Sequence, residues 1–131
     1  MSEMIVSFPG NKKVDVSFGD FVIQTDQSPR GGGDGSAPEP YSVFLASLAA
    51  CAGIYALAFC QARDIDTEGL KLIQTIEPSP MGGIGKIKIH IELPYGFPEK
   101  YVQAIIRAAD QCAVKRTILN PPAFEITADM A

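Results

Sequence analysis

The stretch YSVFLASLAACAGIYALAFCQA, residues 41–62, contains 22 residues and no charge, is rich in good helix formers, and follows Pro40, which suits the first turn of a helix. It predicts one long helix. A helix that is apolar on every side must be covered on every side, by lipid or by protein. Its length would span a bilayer, and Ala49 and Gly53 at i, i+4 form a small-residue contact face. Against a membrane span, seven of the 22 residues are the weakly apolar alanine, and no basic cluster flanks either end. The sequence on both sides reads as sheet that needs a covering helix. The segment is therefore taken as the buried central helix of an α+β protein, with no membrane partner.

Upstream, Val14, Val16 and Phe18 alternate with Lys13, Asp15 and Ser17, which is the signature of strands and hairpins, and Gly19-Asp20 marks a tight turn before Phe21, Val22 and Ile23. Residues 28–40 (SPRGGGDGSAPEP) hold four of the twelve glycines and three of the ten prolines and read as a loop in which glycine serves flexibility. Downstream, residues 64–69 turn out of the helix and Leu70, Leu72 and Thr75 begin a strand. Ile87, Ile89, Ile91 and Leu93 then alternate with Lys86, Lys88, His90 and Glu92, as expected of an antiparallel strand covered on one face. From Pro98, the apolar positions Val102, Ile105, Ile106, Ala109 and Ala113 recur at helical spacing, which carries Cys112 towards the inner side if the helix runs unbroken. Asn120, Pro121 and Pro122 close that region, leaving residues 123–127 as a last strand.

The whole chain of 131 residues fits one domain, residues 1–131, and its composition (47% hydrophobic, 20% charged) is that of a protein folding around a core. Fifteen acidic against eleven basic side chains give a net charge of -4, the wrong sign for a nucleic-acid or anionic-membrane partner. Three cysteines, an odd and widely spaced set, suit a reducing cytoplasm better than a disulfide-stapled secreted fold, and no basic leader with a long apolar run opens the chain.

Candidate chemistry is sparse. The run Gly31 to Gly35 lacks the GK[ST] ending of a phosphate loop. A single histidine, His90, and no close cysteine pair argue against a metal, and no cofactor is expected. Cys51 sits at the middle of the uncharged helix among Ala49, Ala50, Ala52 and Gly53, whose small side chains leave access to it. Cys60, nine residues on, falls on the opposite side of the helix and reads as a small core hydrophobe.

Taken together, GGGDGSAPEPYSVFLASLAACAG at 31–53 and CAVKRTIL at 112–119 resemble the OsmC-like family, which includes osmotically inducible protein C and the organic hydroperoxide resistance proteins. The resemblance implies an α+β fold in an intertwined homodimer, whose central helices are covered by two chains. It also implies thiol-dependent reduction of organic hydroperoxides under oxidative stress, with Cys51 in the peroxidatic place, Cys112 in the resolving place and Cys60 in neither. A thiolate attacks the O–O bond, an alcohol leaves, and the sulfenic acid condenses with the second thiol to a disulfide. An external thiol reductant, dihydrolipoamide in better-known members, would restore the pair.

The chain departs from the pattern at one point. Peroxidase members hold an N-terminal arginine with a glutamate ten residues before the peroxidatic cysteine; that place is Tyr41 here, Glu39 lies two residues too early, and no arginine precedes Arg30. Arg30 or Lys13 are the basic groups available upstream to support the thiolate, and Tyr41 and Phe44 are expected to line an apolar pocket. The rival reading within the fold is a non-catalytic member that binds a small apolar ligand. The rival outside it, a single-span membrane protein, predicts that the protein sediments with membranes. Recovery in soluble form without detergent is the expected outcome.

Overall fold

Period-two alternation in the N-terminal segment builds three antiparallel strands, β1 (Ile5–Gly10), β2 (Lys13–Phe18) and β3 (Phe21–Thr25), paired in that order. The computed structural model describes residues 3–130. The β2–β3 hairpin closes at Phe18 opposite Phe21, with Gly19 at φ 55, a left-handed turn conformation that glycine adopts without a Cβ penalty. The chain divides into two compact units, one up to Ala46 and one from Ser47.

In the N-terminal unit the Gly/Pro-rich loop is ordered rather than slack, which corrects the reading of its glycines as flexibility. Asp26 is fully buried and organises it. One carboxylate oxygen accepts from the Gln27 amide at 2.7 Å, and the other accepts from the Ser36 amide at 3.0 Å and the Ser36 hydroxyl at 2.6 Å, while the Asp26 amide donates to the Pro38 carbonyl at 3.1 Å. Gly33 is required by this closure: a Cβ there would lie 2.1 Å from the Gln27 carbonyl oxygen. Outside it, Lys13 pairs with Asp34 at 2.7 Å and Asn11 donates to the Gly32 carbonyl at 3.1 Å.

The uncharged segment forms the long helix α1 (Pro40–Gln61), which begins one residue earlier than the sequence suggests. Within the C-terminal unit it buries Leu48, Ala52, Ala56, Phe59 and Cys60, a single stripe. Ile54, outside that stripe, remains 54% exposed, so this chain alone covers the helix on one side only. Arg63 finishes the helix, donating to the Phe59 carbonyl at 3.1 Å with its guanidinium 3.7 Å from the Phe59 ring centroid.

The chain then forms the antiparallel pair β4 (Lys71–Pro78) and β5 (Ile84–Glu92). Ile87, Ile89 and Ile91 are half-buried while Lys88 and His90 are exposed, as the alternation predicts. The next helix, α2 (Val102–Asp110), sends Ile105 and Ala109 against Ala52, Ala56, Phe59 and Cys60.

Downstream, the helical region from Pro98, whose course at Cys112 the sequence leaves open, breaks at Gln111, and a separate short helix, α3 (Ala113–Leu119), follows. Cys112 is its N-cap, with an extended backbone (φ -49, ψ 129), and its sulfur accepts from the Lys115 amide at 3.5 Å. The strand expected over residues 123–127 does not form. These residues follow Pro121-Pro122, which offer no backbone N–H to a ladder, and Phe124 and Ile126 stand 86% and 96% exposed.

The Asp26 closure makes two predictions. Gly33→Ala destabilises the fold by about 1–3 kcal/mol, read by chemical denaturation, because backbone must give way. The Ser36 hydroxyl and amide hold the Asp26 carboxyl down from 3.8 to about 2. A depressed carboxylate contributes stability that is present above its unfolded value and lost as pH falls through the folded one. Unfolding midpoints of the parent should therefore drop between pH 3.8 and about 2 with a component that Asp26→Asn lacks.

Candidate active site

Two helices bring the predicted thiols together. Cys51 lies midway along α1, and the break after α2 turns Cys112 back so that its sulfur lies 3.8 Å from the Leu48 carbonyl oxygen, one turn of α1 before Cys51. The Cys112 S–H donates to that carbonyl and also acts on the neighbouring Cys51 thiol, and all three cysteines are free.

The surroundings of the two sulfurs differ. Cys51 is half-buried and its thiol is pushed below the ordinary range, first by the Val114 amide and then by the Cys112 S–H, the Ala113 amide and the positive charge of Arg116, against the opposing effect of burial. These amides are available because the start of α3 leaves them without intrahelical acceptors. Cys112 is buried, and burial pushes its thiol up, as does the neighbouring Cys51 thiol; the Lys115 and Val114 amides oppose this. One thiol is thus prepared to ionise while its neighbour stays protonated. Cys60 is buried in the core and is also pushed up by burial.

Beside Cys112 opens a cleft of about 640 Å³ lined by Ile89 and Ile91 of β5, Ile105 and Ala109 of α2, and Leu48 and Ala52 of α1. His90, Asp110 and Lys115 supply its polar groups, and Lys115 is ion-paired with Asp110. Tyr41 and Phe44, expected in the lining, are not part of it; they stack on each other with centroids 5.7 Å apart.

Of the upstream cations considered for support, Lys13 is committed to Asp34, and Arg30 sits in the 3-10 turn Pro29–Gly31. The cation whose charge acts on Cys51 is Arg116, which sequence reasoning missed although it stands in the quoted CAVKRTIL stretch. Its spacing held the signal: Arg116 follows Cys112 by one helical turn, as Tyr55 follows Cys51, and Arg116 Nη2 donates to the Tyr55 hydroxyl at 3.3 Å.

Antiparallel sheets, one long apolar helix and two thiols meeting across a helix pair define an α+β protein with a dithiol site. The family model described as OsmC-like protein matches residues 33–127, and the chain belongs to that family. Its fold is shared by the OsmC-like protein of Mycoplasma pneumoniae, with TM-score 0.71 and 19% identity over 91% of this chain and 87% of that one. A structure described as an osmotic stress induced and detoxification response protein from Psychrobacter arcticus gives TM-score 0.71 and 20% identity, covering 89% and 88% of the two chains. An organic hydroperoxide resistance protein OsmC from Legionella pneumophila gives TM-score 0.58 and 19% identity over 90% of each chain. No curated protein matches the sequence.

The opposite pKa directions of the sulfurs predict an order of modification. Under limiting iodoacetamide near neutral pH, peptide mapping should find Cys51 alkylated well before Cys112 and Cys60, with the gap narrowing as pH rises and the raised thiols ionise.

Proposed function

We propose that the protein reduces organic hydroperoxides with Cys51 as nucleophile and Cys112 as resolving thiol, and that an external thiol reductant returns it to the dithiol form. The observation that carries this reading is the neighbouring pair of thiols, one half-buried and favoured as thiolate, the other buried against the Leu48 carbonyl and favoured as the protonated thiol. The family, which includes organic hydroperoxide resistance proteins, agrees with it.

In the first step the Cys51 thiolate attacks the terminal oxygen of the hydroperoxide. The O–O bond breaks, the sulfur is oxidised to sulfenic acid, and the departing alkoxide takes a proton and leaves as an alcohol. Cys112 then loses its proton and attacks the Cys51 sulfur; the S–O bond breaks, the oxygen leaves as water, and a disulfide remains. Two electrons from an external dithiol restore both thiols. The apolar cleft is lined by Cys112 and not by Cys51, and an alkyl or aryl group seated there beside the thiol pair gains from leaving water where hydrogen peroxide does not.

We further propose that the working form is a cytoplasmic homodimer, with residues 1–131 acting as one OsmC-like domain. What supports dimerisation is apolar surface left open on each unit: Phe8 and Phe21 on the three-stranded sheet are 77% and 68% exposed, and Ile54 on α1 is 54% exposed. Analytical ultracentrifugation should give twice the chain mass, and Ile54→Glu should lower it to one.

Peroxide consumption tests the chemistry. With tert-butyl hydroperoxide and a dithiol reductant, Cys51→Ser should lose at least about a hundredfold in rate. A variant as fast as the parent removes Cys51 as the nucleophile. After one equivalent of peroxide, mass spectrometry should find two hydrogens lost through a Cys51–Cys112 bridge. A binding protein of the same fold would show no selective bridge.

A further inference from the structure

Cys51 and Tyr55 are four residues apart on α1, and Cys112 and Arg116 are four apart at the start of α3, so each pair shares one face of its element. The two elements therefore meet in two successive contacts. Cys112 against Cys51 and the Leu48 carbonyl is one, and Arg116 against the Tyr55 hydroxyl, one turn on, is the other. The second contact brings a permanent cation, of a side chain that is otherwise exposed, to the turn of α1 that follows the nucleophile candidate.

We propose that Arg116, anchored by the Tyr55 hydroxyl, is the positioning residue that supplies positive potential to the Cys51 sulfur, from the C-terminal side of the fold rather than from the N-terminal segment. The inference rests on the dithiol reading of Cys51. The tether matters because an exposed guanidinium otherwise spreads over many rotamers, and the mean field it casts on one sulfur falls accordingly. The Val114 and Ala113 amides and the Cys112 S–H lower the thiol more strongly, but as short-range dipoles; Arg116 adds a full charge to them, while Lys115 spends its charge on Asp110.

The test is the pH dependence of Cys51 alkylation by iodoacetamide, followed by peptide mapping in the intact protein and requiring no turnover. Arg116→Met should move the midpoint upward and slow the reaction near neutral pH roughly three- to tenfold. Arg116→Lys should recover most of the loss, and Tyr55→Phe, which keeps the charge but frees it, should fall between. Because the guanidinium is exposed, added salt should raise the parent midpoint and leave that of Arg116→Met nearly unchanged. Arg107→Met, which removes an exposed charge from α2, serves as the control and should behave as the parent.

An unchanged midpoint in a folded Arg116→Met protein overturns the inference. If that variant does not fold, the salt response and Tyr55→Phe decide instead, and a parent midpoint insensitive to both overturns it equally. The two readings fail separately. A parent that consumes no peroxide but shows the Arg116-dependent midpoint loses the peroxidase reading and keeps this one, whereas turnover with an Arg116-independent midpoint does the reverse.

Discussion

An uncharged helix of 22 residues cannot be left in water, and most of the architecture answers that constraint. Within the C-terminal unit the answer is a stripe of small and medium side chains. Ala52 and Ala56 let α2 approach closely enough for Ile105 to be fully buried, and Phe59 closes the end of the stripe with Tyr101 set edge-on at 5.8 Å. Ala52, with Ala49, Ala50 and Gly53, also flanks Cys51, so the composition that makes the helix packable leaves room around a sulfur at its centre.

The break between α2 and α3 converts that packing into a site. A continuous helix would have kept its internal amides bonded along its own axis. Stopping at Gln111 frees the amides of Ala113, Val114 and Lys115, and these reach the two sulfurs. Opposite shifts in two adjacent thiols then follow from ordinary causes: donors around the more accessible one, burial around the other.

Much of this could be read from the residues. The alternation of Ile87, Ile89 and Ile91 with Lys86, Lys88 and His90 marks β5, Gly19-Asp20 marks the hairpin, and the missing charges mark α1 within a residue of its observed start. The site was legible as two cysteines only through family resemblance, because nothing in a lone Cys51 or Cys112 says which distant residue it meets. The interruption before Cys112 has no mark in the residues because Gln111 and Cys112 are not helix breakers. Arg116 stands one turn after Cys112, but that spacing becomes a signal only once Cys112 is known to meet Cys51, which brings Tyr55 opposite. The closure around Asp26 was masked by composition, since a run of glycines looks alike whether it is slack or tightly folded.

Cys112 has a double duty with a practical consequence for anyone dissecting this protein. Its sulfur is also the acceptor that terminates α3, and serine is among the preferred residues at such a position. The customary cysteine-to-serine exchange therefore keeps an acceptor at the helix start while removing the thiol, whereas alanine would discard both. Of the two, serine is the cleaner instrument for separating what the atom reacts with from what it holds in place.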